Sequence, residues 1–339
     1  MDVKPELFTL ADDEAIVWRG SQARCFESLQ PDSDVDLDGH VVRTLPRRGE
    51  LLARVATVND VHFGETVCGH VGGQDWPTFS VEPGETPYPE VMNAGAVADI
   101  SSVDPDVVVV KGDLTAEGTR EEYDRFLDVY GGAFGERLVH VRGNHESYNL
   151  LDVASWPTQA RVLDGVIVAV IDTSRPATIN GRVSDEQLDW LDELGERADR
   201  PVLVFGHHPV WNPAAEPRTD DCVGIVPAQS EALAEVFGRR PRLAGYFAGH
   251  THRNARVDLP QAPGVPFAEV ACVKDFPGSW AEYRIYEDLV LQVHRRITDP
   301  TALAWSERTR GMFAGTYPAY ASGRSADRCF AIDIAARLR

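Results

Sequence analysis

The sequence predicts an α/β fold, and three observations carry that expectation. Short, continuous β-branched runs such as Val107–Val110 and Val166–Ile171 have the composition of strands buried on both faces. Capped or amphipathic stretches separate such runs, as where Ser184 and Gln187 form a capping box opening a helix that runs to about Leu194. Strands alternating with helices imply a sandwich of sheet and helix layers. The β-rich stretch after residue 245 adds that part of the sheet is antiparallel or mixed.

The elements follow in order. Residues 1–50 read as a small β-rich extension, because Leu7–Leu10 and Ala15–Trp18 alternate with acidic turns, notably Pro31–Gly39. Leu51–Val58 is an apolar run that stops at Asn59-Asp60. Segment 64–90, rich in Gly, Pro, Thr and Glu, reads as an irregular loop: a lid over a pocket, with Cys68 and Trp76, or a solvated excursion. Residues 89–103 fit a helix, Val107–Val110 a strand, Glu117–Tyr130 an amphipathic helix, and Leu138–Val141 a strand ending before Gly143. Val166–Ile171, Val202–Phe205 and Leu243–Ala248 read as strands and Gln229–Phe237 as a helix. Further strands are expected over 267–273 and 281–296, the latter as a hairpin. The body thus spans 51–299. The tail, 300–339, carries Trp305, Phe313, Tyr317, Tyr320 and Phe330. It is too apolar for a disordered segment and is expected to pack on the body or on the partner subunit of a homodimer.

Composition limits the function classes. With 43% apolar and 25% charged residues, the 339-residue chain can build a substantial core. Its net charge of −20 repels nucleic acid and anionic membranes, so neither is expected as a partner. The same charge would repel an anionic substrate unless bound cations reverse the sign locally. The basic residues are almost all arginine, with Lys4, Lys111 and Lys274 the only lysines. Five scattered cysteines without a CxxC pair predict no disulfide framework. The N-terminus lacks a basic stretch followed by an apolar one, and no run approaches the ~18 apolar residues of a membrane span. A cytoplasmic protein is expected.

Chemistry concentrates in five short segments, each after an apolar strand-like run: Asp60-Val61-His62, Gly112-Asp113, Gly143-Asn144-His145-Glu146, His207-His208-Pro209 and Gly249-His250-Thr251-His252. Ligands in open α/β sheets sit in the crevice beyond the carboxyl ends of strands. Segments spread over the chain would therefore converge on one crevice. In extended chain, residues two apart point the same way, so Asp60 with His62, and His250 with His252, can serve one ion together or one each. The glycines allow tight turns and close backbone approach. Carboxylate, amide and imidazole donors together suit Mn, Fe, Zn or Co better than Ca or Mg alone.

These segments, in this order, resemble the calcineurin-like metallophosphoesterase superfamily, and the resemblance covers residues 51 to about 296. It implies a metallophosphoesterase-type sandwich of two mixed β-sheets flanked by helices. It also implies two divalent or trivalent transition-metal ions (Mn, Fe or Zn). Asp60, His62, Asp113 and His252 would hold one and Asp113, Asn144, His207 and His250 the other, with Asp113 bridging. His207 is preferred to His208 because the family ligand stands two residues before the proline. The implied reaction is hydrolysis of a small-molecule phosphodiester, a 3',5'-cyclic nucleotide or a glycerophosphodiester, by in-line attack of a metal-bridging hydroxide. Asn144 and His145 would bind the phosphate and His145 would serve the leaving oxygen; Glu146 would orient His145 or be a helix-start acid. Alternatives are a phosphomonoesterase of the same superfamily and a catalytically silent scaffold.

Two departures narrow the resemblance. Leu114-Thr115-Ala116 and Asp60-Val61-His62 lack the tyrosine and the Asp-x-Gly of purple acid phosphatases. The stretch from Gly112 to Glu117 lacks the Arg-bearing motif of protein Ser/Thr phosphatases. What remains looks most like the bacterial class III cyclic-nucleotide phosphodiesterase and glycerophosphodiesterase branch. Outside the motifs, Asp172 reads as structural, Arg142 as a phosphate contact or an ion-pair partner, His40 and His70 as surface residues, His294 as a strand residue, and Lys274-Asp275 as rim.

Overall fold

Side-chain alternation along the strands dictates the layering seen in the computed structural model, which describes residues 4–70, 75–150 and 152–337. The chain opens with an antiparallel sheet, β1 (Glu6–Leu10), β2 (Ala15–Arg19) and β3 (Gln22–Phe26), and a hairpin, β4 (Asp34–Leu37) and β5 (His40–Arg43). The body begins with β6 (Leu51–Val58), α1 (Tyr88–Ser102), β7 (Val107–Lys111), α2 (Arg120–Phe126), α3 (Gly132–Phe134), β8 (Leu138–Val141) and α4 (Asn144–Tyr148). It continues through β9 (Thr158–Leu163), β10 (Val166–Ile171), α5 (Asp185–Arg197), β11 (Val202–Phe205), α6 (Pro227–Arg239), β12 (Leu243–Ala248), β13 (Ala255–Val257) and β14 (Phe267–Glu269). The hairpin β15 (Ser279–Tyr286) and β16 (Leu289–Arg296) follows, then α7 (Pro300–Thr309), α8 (Tyr317–Ser322), α9 (Ser325–Arg328), β17 (Phe330–Asp333) and α10 (Ile334–Arg337).

Two mixed six-stranded sheets result, ordered β17-β16-β15-β6-β7-β8 and β13-β14-β12-β11-β10-β9. Strands β6, β7 and β8 run parallel, as do β10, β11, β12 and β14. Val55, Val107, Val109 and Val141 of the first sheet meet Val168, Leu203, Phe205 and Phe247 of the second in one dry layer. The opposite face of the first sheet (Ala56, Val58, Val108, Val110) packs on Met92, Ile100, Phe126 and Trp305. That of the second packs on Leu191, Leu233 and Phe237. Each such fully buried Val, Leu or Phe contributes roughly 1.5–3 kcal/mol over leaving it in water. The result is a helix–sheet–sheet–helix sandwich.

The tail packs on the body. Asp299 caps α7, Trp305 Nε1 donates to the Lys274 carbonyl (3.0 Å), and β17 pairs with β16 as an edge strand. The first fifty residues carry β1 to β5, and Arg284, buried beneath them, pairs with Asp12, Asp13 and Glu14. The expected 117–130 helix starts later and ends differently. Gly118 takes a positive φ, Thr119 caps α2 in a capping box with Glu122, and Leu127–Gly131 widens to a π turn. All five cysteines are free thiols. Among the described residues, no helix is long and apolar enough to cross a membrane.

Candidate metal centre

Strands β6, β7 and β8 of one sheet and β11 and β12 of the other end at the same edge of the sandwich. The turns after them carry Asp60 and His62, Asp113, Asn144 and His145, His207, and His250 and His252, so all the motif residues come together. The backbone reaches this arrangement in an unforeseen way. Asp60 (φ 54°), His62 (46°), Asp113 (49°), His250 (70°) and His252 (56°) all lie in the left-handed region. Non-glycine residues rarely stay there, at a cost of roughly 1–3 kcal/mol each, and they cluster where function demands the geometry. The i, i+2 pairs are therefore not extended chain: Asp60 and His62 meet through consecutive tight turns, whereas His250 lies beside His207 and His252 beside Asp60 and His62.

Two glycines make the approach possible. Gly112 has φ 89°, and a Cβ there would meet the His207 ring at 2.6 Å. A Cβ on Gly143 would overlap the Asp113 carboxylate and lie 2.8 Å from His207 Nε2.

The donor atoms form overlapping groups, each with ligand atoms within 4.8 Å of one another: Asp60, His62 and His252; Asp60, Asp113 and His207; His62, Asp113 and His145; His207, His208 and His250; and, behind these, His252, Cys272 and Asp275. Asp113 belongs to two of them. Its Oδ2 lies 3.5 Å from His62 Nε2 and its Oδ1 lies 3.2 Å from His207 Nε2. Asn144 Oδ1 is 3.0 Å from the same His207 nitrogen, and His252 Nε2 is 3.5 Å from Asp60 Oδ1. The His207 and His250 rings are 5.0 Å apart between centroids.

Hydrogen bonds set the ring orientations. His207 Nδ1 donates to the Lys111 carbonyl at 2.8 Å, which turns Nε2 toward Asp113 and Asn144. His208 is spent otherwise, with Nδ1 on Thr173 Oγ1 (2.9 Å) and Nε2 on the Ile179 carbonyl (3.1 Å). His145 Nδ1 donates to the Ala116 carbonyl at 2.5 Å with Tyr148 Oη at 2.8 Å, so Nε2 faces the site, 3.9 Å from Asp113 Oδ2. The Asp60 carboxylate accepts from the His250 amide (3.0 Å) and from Asn59 Nδ2.

The electrostatics are those of a cation site. Asp60 and Asp113 are almost wholly buried and, among the described residues, have no arginine or lysine ion-pair partner. Burial alone would raise the Asp113 carboxyl, but His207, His145 and His62 outweigh it and hold it well below the usual range. Burial, His145 and Lys274 push His62 well below its ordinary value, and burial with His207 pushes His250 down to about 4. These two rings are therefore neutral and free to ligate. Nε2 of His62, and Nδ1 of His250, are buried without a hydrogen-bond partner among the described residues. Such orphaned groups are costly unless something binds them, and a borderline transition-metal ion fits this mixed O/N donor set.

Behind the donors lies a second layer that sequence reasoning read only in part. Glu146 does not touch His145; it is buried and accepts from Thr115 and Gly143. Lys274 and Asp275 line the pocket, almost wholly buried behind His62 and His252, and Glu65, unforeseen, joins them. Arg142 is an ion-pair partner, its Nε 2.6 Å from Asp172 Oδ2. His294 is a buried strand residue bonded to Ser279 Oγ (2.7 Å), and His40 is exposed.

A cavity of about 510 Å³ opens above the site, lined by His62, Asp113, Asn144, His145, His250 and His252. Asp60 and His207 sit just beneath it, fully buried. The tail forms one wall: Phe313 and Tyr320 line the cavity, and Tyr320 Oη donates to the Thr251 carbonyl at 2.8 Å. Glu65, Gly69 and exposed His70 also line it, so the start of the 64–90 loop borders the pocket. Residues 71–74 of that loop lie outside the described residues.

Comparison with known proteins places this geometry in a family. The chain is 29% identical over 184 residues to a cAMP/cGMP dual specificity phosphodiesterase of Mycobacterium tuberculosis, covering 51% of this chain and 56% of that protein. It is also 29% identical over 189 residues to a glycerophosphodiester phosphodiesterase of Enterobacter lignolyticus, covering 50% and 66% respectively. The chain spans about three fifths of the length of the curated relatives it matches. A dimetal phosphatase from Danio rerio shares the fold, with TM-score 0.56 and 18% identity over 73% of this chain and 97% of that one. The family model for calcineurin-like phosphoesterases matches residues 53–254, well over half of the chain. By that match, the chain belongs to the calcineurin-like phosphoesterase family.

Proposed function

We propose that the chain is a binuclear metal-dependent phosphodiesterase. One observation carries the reading: Asp113 presents one carboxylate oxygen to His62 and the other to His207, so a single buried side chain serves both halves of the site. The first half-site is Asp60, His62, Asp113 and His252; the second is Asp113, Asn144, His207 and His250.

Transition-metal cations held by these residues would supply Lewis acidity toward phosphoryl oxygens and would activate water as the nucleophile. The chain's own residues do the rest. Asn144 turns its Oδ1 toward His207 and keeps its amide N–H₂ for a phosphoryl oxygen. His145, with Nδ1–H tied to Ala116, presents Nε2 to the cavity, where it stabilises or protonates the leaving oxygen. The walls formed by Phe313 and Tyr320 keep bulk water from the reacting centre.

A diester fits better than a monoester. Among the described residues the cavity is lined by no arginine, and its one lysine, Lys274, is engaged with Glu65 and Asp275. A dianionic monoester would lack the guanidinium clamp that such groups favour. The similar proteins named phosphodiesterases of cyclic nucleotides and of glycerophosphodiesters support the same choice. Either of those esters is a candidate substrate.

The test is turnover of an aryl phosphodiester by the Mn²⁺-loaded protein. Hydrolysis that Asp113→Ala and His252→Ala each abolish is expected. Equal turnover in both variants contradicts the site, and a monoester hydrolysed faster than any diester contradicts the substrate class.

A further inference from the structure

Three lysines stand against thirty arginines in this sequence, and two of the three, Lys111 and Lys274, are buried beside the site. The surroundings of Lys274 give that usage a physical reason. Its Nζ lies 2.9 Å from the Glu65 carboxylate and 3.4 Å from Asp275 Oδ2. Beyond it, each carboxylate faces a histidine of the first half-site. Glu65 Oε2 is 3.5 Å from His62 Nδ1, and Asp275 Oδ2 is 3.6 Å from His252 Nδ1. The other Asp275 oxygen is already held, by Tyr317 Oη at 2.6 Å and Cys272 Sγ at 2.9 Å. One compact ammonium thus joins the two carboxylates that back the two imidazoles.

A carboxylate behind a ligating histidine fixes its tautomer and aims its other nitrogen at the metal. Two carboxylates this close, with no cation between them, would repel each other and swing away from the rings. A guanidinium, planar and forked, cannot occupy the same point between them. We infer that Lys274 is a positioning residue that, by holding Glu65 and Asp275 against His62 and His252, sets the affinity of the first half-site for its cation. The inference rests on the reading above that this half-site takes a transition-metal ion. The second half-site has a different support, the backbone carbonyl of Lys111 behind His207, so the two sites respond separately.

The test is calorimetric titration of the metal-stripped protein with Zn²⁺, for wild type, Glu65→Gln, Asp275→Asn, Lys274→Met and the double variant Glu65→Gln/Lys274→Met. In the wild type two ions are expected to bind. Each single variant should weaken one of the two by roughly 10–100-fold and leave the other unchanged. Glu65→Gln should cost less on top of Lys274→Met than alone, because the lysine has already released the carboxylate. Variants that keep the wild-type unfolding transition yet bind both ions as wild type does, or lose both equally, overturn the inference. If Lys274→Met does not fold, Glu65→Gln decides alone, since its side chain is 19% exposed and truncation there leaves the core intact. Wild-type protein that takes up no Zn²⁺ overturns the proposed function itself, a result distinct from two ions bound equally by every variant.

Discussion

Glu146 accepts two hydrogen bonds from Thr115, one from its amide at 2.8 Å and one from its hydroxyl at 2.5 Å. Its second oxygen accepts from the Gly143 amide at 2.7 Å. The turn after β7, which bears Asp113, is thereby stapled to the turn after β8, which bears Asn144. Glu146→Ala leaves buried N–H groups unsatisfied and should cost about 3 kcal/mol of stability in urea unfolding. It should also lower kcat at least tenfold, because the two turns lose their register. Stability and turnover equal to wild type would show that the staple is dispensable.

His145 Nε2 lies 3.9 Å from Asp113 Oδ2, and in the proposed reaction it serves the leaving oxygen. His145→Ala should reduce kcat by roughly 10²–10⁴-fold, in line with loss of a positioned acid. The loss should be larger for alkyl than for nitrophenyl leaving groups, which need no proton. Metal content should stay at its wild-type value. A variant that loses its metals instead would move His145 into the ligand set.

Metal uptake should release protons. Burial works against a charged His207, but Asp113 outweighs it and pushes the ring up to about 9. For His252, burial is likewise outweighed, by Cys272, Asp60 and Asp275, and the ring sits well above its ordinary value. Both are therefore protonated at pH 7 in the metal-free protein, and a cation must displace those protons. Affinity for Zn²⁺ should rise from pH 6 to pH 8. Calorimetry in buffers of different ionisation enthalpy should show net proton release at pH 7. Uptake independent of pH would contradict this assignment of charge.

Away from the site, Asp192 on α5 pairs with Arg240 and Arg239 at the end of α6, and those guanidiniums hold its carboxyl down at about 2. A depressed carboxyl contributes stability that is fully present above its ordinary value near 4 and fades as pH falls toward 2. Asp192→Asn should lower stability by roughly 1 kcal/mol at pH 7, the upper end for a partly exposed pair. The difference should vanish near pH 2. A deficit that persists at pH 2 would mean that the carboxylate's charge is not what matters.

The site was legible in the sequence because each donor follows a strand, and strand ends in a parallel sheet share an edge. Val58, Lys111, Val141, Phe205 and Ala248 end the five strands that deliver Asp60, Asp113, Asn144, His207 and His250. The buried runs and the Ser184 cap carried the layering in the same way. Other parts left no periodic trace. The left-handed turns at Asp60, His62, Asp113, His250 and His252 are made by aspartate and histidine, which tolerate that region better than most residues but show no spacing that announces it. Strand β9 is an exposed edge strand with Val162 facing solvent, so it lacks the apolar run of a buried one. Glu65 and Asp275 are far apart in sequence and meet only through Lys274, a relation no spacing encodes.

The most direct measurement is an anomalous difference map from crystals of the protein grown with Mn²⁺. Two peaks are expected, one on each side of the Asp113 carboxylate, the first beside His62 and His252 and the second beside Asn144, His207 and His250. A single peak, or peaks that do not share Asp113, would contradict the binuclear centre.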